Sequence, residues 1–176
     1  MVHIAGAQCA AMPLSIVDNP ADRPEWIRET VQLVTASAAA GRRSLLHLVD
    51  AATDADLQAG TADDWGLGQI AIHLLLVERG VASIALRLAR GEDAGPSGQP
   101  RPDAAAVTRE GIRTLAEKAA QAGERLRAEF PAEPDAARIA AHPFYGPQNC
   151  FGWLLTIGNH YAAHLEAWRE GRPSSL

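Results

Sequence analysis

The sequence predicts an all-α protein, a four-helix bundle in up-down-down-up order with a long crossover between its second and third helices. Four stretches of about 20 to 26 residues carry apolar side chains in alternating steps of three and four, the spacing of a helix face packed in a bundle. Clusters of Gly and Pro separate these stretches. No run of alternating apolar and polar residues indicates a strand.

The composition fits one globular domain. The chain has 176 residues, of which 47% are hydrophobic and 21% charged, as in ordinary soluble proteins. Its net charge of -5 argues against a nucleic-acid partner. The two cysteines, Cys9 and Cys150, form no CxxC motif and predict neither a disulfide framework nor a thiolate zinc site.

The sequence also predicts a cytoplasmic protein without a membrane partner. No run reaches the roughly 18 consecutive apolar residues of a membrane span. The first twenty residues contain no Lys or Arg, so a secretory signal is not expected. Residues 1–22 are predicted to form a tail or a strap on the surface, and residues 23–176 the bundle domain.

The first helix is predicted from Pro24 to Val49, with Pro24 suited to the first turn because its missing N–H costs nothing there. Its apolar seam includes Gly41. A glycine lowers helix stability, so a neighbour is expected to pack closely against it. A polar connection over residues 50–65 follows.

The second helix is predicted to begin near Gly66, with Gln69 reaching back to the helix start as in a capping box. His73 lies on the shoulder of its apolar seam. Six Gly or Pro residues between positions 91 and 102 end this helix and predict an extended crossover. The third helix is predicted from Asp103, as its N-cap, to Glu129.

The fourth helix, predicted from Gln148 or Asn149 to Gly171, carries His160 and His164 one turn apart on one face. Two imidazoles with this spacing can converge on one metal ion. Both lie beside the apolar seam, so they are expected to point into the bundle.

Helix direction decides whether His73 reaches this pair. At 1.5 Å per residue, His73 lies about 10 Å from the start of its helix, and the pair about 10 to 15 Å from the end of theirs. All three share one depth only if the second and fourth helices are antiparallel. The crossover can extend about 35 to 40 Å, enough to run back along the bundle and make the second and third helices parallel. A simple up-down-up-down order would separate the histidines.

Three motifs resemble those of the DinB-like superfamily over residues 25–171. They are the stretch DWGLGQIAIHL from Asp64 to Leu74, the loop HPFYGP from His142 to Pro147, and the stretch NHYAAHL from Asn159 to Leu165. The resemblance implies the up-down-down-up bundle and a divalent metal ion, zinc or nickel, bound by His73, His160 and His164. Gly66 departs from the pattern, where the superfamily often has Ser, and this is expected to affect capping more than metal binding.

The resemblance further implies a thiol-dependent transferase or isomerase that uses a low-molecular-weight thiol, or a hydrolase, acting on a small electrophilic molecule in detoxification or stress. Three neutral imidazoles leave a coordination position open. Bound water there reaches a pKa of about 7, and a bound thiol is deprotonated. The alternatives are a non-catalytic bundle that binds metal or a small molecule in stress or self-resistance, and a bundle whose histidines are hydrogen-bonded core groups without metal.

The remaining predictions concern substrate and partners. His47, Arg109 and Arg113 would lie at the metal end of the bundle, where the arginines can meet a carboxylate or phosphate of a substrate; the simpler interpretation is that they are solvated. His142 is expected to be structural in its loop. Apolar residues outside the main seam of the second helix are compatible with a homodimer.

Overall fold

The computed structural model describes residues 23–171. The tail or strap predicted for residues 1–22 lies outside the described residues. Within them, four long helices form the bundle, which confirms the predicted fold class. The helices are α1 (Arg23–Ala51), the short α2 (Asp54–Leu57), α3 (Leu67–Ala89), α4 (Arg109–Glu129) and α5 (Cys150–Arg169).

Contacts at both helix ends show that α3 and α4 are parallel. At the start of α3, Gln69 Nε2 donates to the carbonyl of Pro102, just before α4, at 3.0 Å. At the other end, Arg90 after α3 pairs with Glu129 at the end of α4, with 2.6 Å between Nη2 and Oε2. The intervening crossover, residues 91–102, therefore runs back along the bundle, as its length predicted.

The other two helices run antiparallel to this pair. The Asp135 N–H, on the segment leading to α5, donates to the carbonyl of Ala89 at the end of α3 (2.9 Å). At the opposite end, Arg109 at the start of α4 donates through Nη2 to the carbonyl of Ala52 just after α1 (2.7 Å). The helix order is therefore up-down-down-up.

The core consists of two apolar clusters stacked along the bundle, one around Leu74 and Leu165 and the other around Leu88 and Leu154. The helix α3 contributes to both. Among residues 23–171 it is the one helix long and apolar enough to cross a membrane, but 67% of its most apolar stretch is buried inside the bundle. Its place at the centre of the core accounts for that composition.

Close packing explains why two positions are occupied by glycine and not by a residue with a Cβ atom. A Cβ at Gly41 would come within 2.7 Å of Cβ and Cγ of Tyr161 on α5, so the expected close neighbour is confirmed. At Gly66 a Cβ would lie 1.8 Å from the carbonyl oxygen of Ala59, which excludes a serine from this backbone. The capping contribution of Gln69 is confirmed, since its Oε1 accepts from the Gly66 N–H at 3.1 Å.

The predicted start of the third helix was wrong. Asp103 does cap a turn, accepting from the Ala105 N–H at 3.1 Å, but this is a 3₁₀ turn over Ala104–Ala106. The chain then extends and buries Val107 in the core, 1% exposed. The N-cap of α4 is Thr108, five residues later than predicted, and the helix begins at Arg109. Burial of Val107 outweighs the helix propensity of the three alanines.

The prediction that the protein contains no β-strand was also wrong. An antiparallel hairpin of β1 (Ile139–His142) and β2 (Gly146–Asn149) precedes α5. Each strand has only four residues, and β2 lacks a clean alternation of burial, so the sequence shows no clear strand pattern. The turn is set by Gly146, whose φ of 69° is in the left-handed region. The predicted polar connection likewise contains the short α2, which Thr53 caps.

We expect Gly41→Ala to lower the free energy of unfolding by about 1 to 3 kcal/mol, because the new methyl group overlaps Tyr161. The matched control is Gly123→Ala in α4, where a Cβ meets nothing within 4 Å. There the gain in helix propensity should raise stability by up to about 1 kcal/mol. Urea unfolding measures both, and equal effects of the two substitutions would contradict the close packing of α1 against α5.

Candidate metal centre

Antiparallel packing of α3 and α5 brings three histidines to one depth of the bundle. His73 comes from α3, and His160 and His164 from successive turns of α5. Each offers a ring nitrogen, and these atoms lie within 4.8 Å of one another. Within the described residues, this is the one group of three or more His, Cys, Asp or Glu side chains arranged to hold a metal ion.

The hydrogen bonds of these rings leave nitrogen lone pairs at the centre. His73 Nδ1 lies 2.8 Å from the carbonyl oxygen of Pro100 in the crossover. Because a carbonyl only accepts, Nδ1 carries the proton and Nε2 presents its lone pair to the cluster. The Nε2 atoms of His73 and His160 are 2.9 Å apart. Outer partners of this kind orient imidazole ligands in metal sites.

His164 provides the test of whether a metal fits. The residue is 2% exposed, and its Nε2 is buried without a hydrogen-bond partner in the part of the chain that the structure describes. An unpaired buried polar atom costs about 1 to 3 kcal/mol unless something satisfies it. A divalent ion between the three rings would do so. The donor set, three imidazoles, suits zinc or nickel.

Burial keeps the three rings neutral. It is the main cause that lowers the pKa of His160 to about 3, with smaller contributions from His164, His73 and His142. Burial, followed by His73, lowers the pKa of His164 to about 4. The pKa of His73 is also lowered by burial, against the opposing effect of its bond to Pro100. Neutral imidazole is the form that binds metal.

A buried ion pair fixes the rotation of α5 beside the histidines. The carboxylate of Glu78, 3% exposed, pairs with Arg42 of α1 and accepts from the hydroxyl of Tyr161 at 2.6 Å. Burial and the Glu78 charge raise the pKa of Tyr161 far above its usual value, so the phenol stays a donor. Because Tyr161 directly follows His160, these bonds hold in place the turn of α5 that presents the ligands.

The histidines open onto a cavity of about 440 Å³. Its walls come from α3, the crossover, the hairpin and α5, and are mostly apolar. His73, His160 and Trp153 are among its lining residues. The exposed rings of Phe144 and Tyr145 stand at the hairpin turn in the same lining. The cavity therefore joins the metal ligands to a surface that an apolar molecule can contact.

His142 in this wall has a defined tautomer. Its Nδ1 accepts from the N–H groups of Phe144 (3.2 Å) and Tyr145 (3.4 Å), so the neutral ring carries its proton on Nε2. The ring packs on Trp153, with 4.6 Å between centroids, and burial lowers its pKa. The expected structural role in the loop is present, and the ring also lines the cavity.

The sequence analysis did not identify the crossover and the hairpin turn as walls of the cavity. For the crossover, the direction of the chain could have indicated this. A crossover that runs back along the bundle has to pass the depth of His73, and residues 96–99 do line the cavity. No comparable signal placed the hairpin, because its strands were not predicted.

The three residues suggested for substrate binding lie outside the cavity. Arg109 donates to the carbonyls of Val49 and Ala52 at the end of α1, where a cation complements the helix dipole. Arg113 pairs with Asp50 at 3.0 Å, and His47 is exposed on α1. Their role in substrate binding stays an untested prediction, and none of these contacts supports it.

Comparison with known proteins agrees with this architecture. Residues 37–167 match the model of the DinB superfamily, a range that includes all three histidines and the crossover. The chain belongs to the DinB superfamily. It is similar to the crystal structure of TT2238, a four-helix bundle protein, with 27% identity and a TM-score of 0.61 over 80% of this chain and 98% of that chain. No curated protein matches it.

For this DinB-superfamily protein, we expect His164→Leu to stabilise the metal-free form by about 1 kcal/mol, because the substitution removes an unpaired buried nitrogen. The same variant should lose the rise in melting temperature that zinc or nickel produces in the wild type. Thermal unfolding with and without metal measures both effects. His47→Leu is the control on the exposed face of α1, and zinc stabilisation of His164→Leu equal to wild type would exclude the proposed ligand.

The metal-free protein should lose stability as the pH falls below about 6.5, the ordinary histidine value. The folded-state pKa values of His160 and His164 are about 3 and about 4. Below pH 6.5 the unfolded chain therefore binds protons that the folded chain does not, and stability decreases down to about pH 3.

The His160→Ala, His164→Ala double variant separates this effect from the titration of carboxylates. Denaturant unfolding across the pH range should show a shallower decrease in the double variant than in the wild type. Equal slopes would mean that the two imidazoles are not buried in neutral form.

Proposed function

We propose that this protein is a divalent-metal-dependent enzyme that acts on a small electrophilic molecule, by transfer of a low-molecular-weight thiol or by hydrolysis. The observation that carries the proposal is the partnerless Nε2 of His164 within three converging imidazoles, two buried and one half-buried, beside a cavity large enough for a small molecule. Membership of the DinB superfamily supports it.

The three histidines would leave a coordination position of the ion open for a reactant. His73, His160 and His164 would hold the ion, and three protein ligands are the catalytic rather than the structural pattern for zinc. When bound, the ion acidifies a water molecule or a thiol, so that hydroxide or thiolate is available at neutral pH. Either nucleophile can attack an electrophile without a nucleophilic side chain from the protein.

The surrounding residues position and select the reactants. Pro100 orients His73 through the bond to Nδ1, and Tyr161 and Glu78 hold the α5 turn. The cavity volume of about 440 Å³ lies in the range of small-molecule sites, and its apolar lining favours an apolar substrate body. His142 Nε2–H offers a hydrogen bond to a substrate oxygen from the cavity wall.

The same apolar cavity also favours a second function, namely sequestration of a small molecule without turnover. A non-catalytic bundle of this kind would use metal and cavity for binding alone, in stress or self-resistance. Product formation distinguishes the two functions, because a sequestering protein consumes at most one equivalent of its ligand.

We expect zinc- or nickel-loaded protein to turn over either a thiol with a chromogenic aryl halide or a nitrophenyl ester, whereas the metal-free protein does neither. Ala163→Trp should reduce turnover at least about tenfold by obstructing access to the reacting centre, because Ala163 lines the cavity. Multiple-turnover absorbance assays measure the rates, and elemental analysis measures bound metal.

Ala162→Trp is the matched control, since Ala162 is an exposed neighbour outside the cavity lining. It should keep both metal and activity. Metal binding without turnover of either substrate pair would favour sequestration over catalysis. Failure of the wild type to bind either metal would exclude the enzymatic function and leave only sequestration in the apolar cavity.

A further inference from the structure

A second, larger cavity lies between the parallel helices α3 and α4, and residues of the crossover form part of its wall. Its volume is about 1230 Å³. The lining contains five basic side chains and a single acidic one, Glu92. The basic residues are Arg79, Arg87, Arg90, Lys118 and Arg125. This concentration is unexpected in a chain with only 16 Lys and Arg and a net charge of -5.

Helix geometry places these charges in two facing rows. Arg79 and Arg87 are eight residues apart on α3, and Lys118 and Arg125 are seven residues apart on α4. Both intervals return a side chain to the same helix face. We call the space between the two rows the basic groove. Like charges held along one groove repel each other, so the arrangement raises the energy of the protein in the absence of an anion.

Acidic neighbours neutralise only part of this charge. Arg90 and Arg125 share Glu129, at 2.6 Å and 3.1 Å. The ion pair between Arg87 and Glu92 spans 3.8 Å, and Arg87 Nε is shielded from solvent with no hydrogen-bond partner.

The remaining two basic residues of the groove, Arg79 and Lys118, are exposed. Neither makes an ion pair or side-chain hydrogen bond with another residue between positions 23 and 171. Three cations of the basic groove therefore have donor capacity that the described fold does not use.

We propose that the basic groove binds a small molecule that carries at least two carboxylate or phosphate groups, through Arg79, Arg87 and Lys118. Guanidinium groups pair with carboxylates and phosphates through two parallel hydrogen bonds, and lysine adds a mobile point charge. The two rows allow anionic groups to be held from both sides. The unpaired Nε of Arg87 supplies a donor in a desolvated position, where a charge-assisted bond is strong.

The basic groove and the metal cavity share walls. Leu76, Gly80 and Ile84 of α3 line both spaces, as do Pro96, Gly98 and Gln99 of the crossover. The two spaces are therefore adjacent, which is the arrangement needed for a molecule with anionic groups in the basic groove and a reactive, apolar end beside the histidines. This makes the substrate or thiol of the metal centre a polyanion. The assignment rests on the proposed function, whereas anion binding itself does not.

Calorimetric titration of metal-free protein with inorganic pyrophosphate tests the basic groove without any enzymatic activity. We expect one equivalent to bind, and the Arg79→Gln, Lys118→Gln double variant to bind at least about tenfold more weakly, since each substitution removes a charge-assisted hydrogen-bond donor. Arg87→Gln should weaken binding similarly. The His160→Ala, His164→Ala variant should bind pyrophosphate as the wild type does, which shows that anion binding does not depend on the metal ligands.

The control is the Arg43→Gln, Arg127→Gln double variant, which changes the net charge equally at exposed positions outside the groove. It should bind pyrophosphate like the wild type. Absence of binding to the wild type, or equal weakening in both double variants, would overturn the proposal, because the effect would then reflect overall charge and not a site.

A kinetic comparison tests the link to the metal centre. With metal-loaded protein, mercaptosuccinate, a thiol with two carboxylates, should show a lower KM than uncharged mercaptoethanol. The Arg79→Gln, Lys118→Gln variant should remove this difference while kcat and bound metal stay unchanged. Pyrophosphate binding with no preference between the two thiols would overturn the link. No turnover of either thiol would reject the thiol-transfer function and leave the binding result standing.

Discussion

The metal centre depends on one constraint, the antiparallel packing of α3 against α5. His73 lies near the start of one helix and the other two histidines near the end of the other, so only opposite directions give them a common depth. That direction follows in turn from the crossover, which makes α3 and α4 parallel and leaves α5 to run back. The carboxylate of Glu78, bonded to Arg42 and Tyr161, then ties three helices together in the rotation that turns the imidazoles inward.

Stability and function oppose each other at this site. Burying three neutral imidazoles lowers their pKa values and leaves His164 Nε2 without a partner. A core built for stability alone would place apolar side chains here, since removal of an unsatisfied polar group is favourable. The same features, neutral lone pairs that converge in a protected place, are those that a divalent ion requires. The unpaired nitrogen of the metal-free fold is therefore accounted for if the three histidines hold an ion, as proposed above.

The crossover is a functional element and not only a connection. Its carbonyl at Pro100 orients His73, and its residues form a wall of the metal cavity and the roof of the basic groove. The hairpin before α5 closes the cavity from the other side through His142 and its aromatic neighbours. The bundle thus supplies the three histidines from rigid helices, whereas two irregular segments supply much of the remaining cavity wall.

The sequence by itself predicted the four helices and the histidines that could hold a metal ion, because helical periodicity, Gly and Pro breakers and the spacing of His160 and His164 are local properties of the chain. It also indicated the parallel α3 and α4, since the reach of an extended segment is a matter of length. Only the tertiary structure decided the rest. The helix α4 starts later than predicted because burial of Val107 outweighs local helix propensity. The hairpin forms through pairing between two strands that are too short to show a pattern in the sequence. Arg109 bonds to the end of α1, away from the cavity, and the basic groove arises from residues on two helices about 30 to 45 positions apart in the chain. Each of these features depends on contacts between segments that are distant in the chain, and such contacts cannot be read from a local sequence pattern.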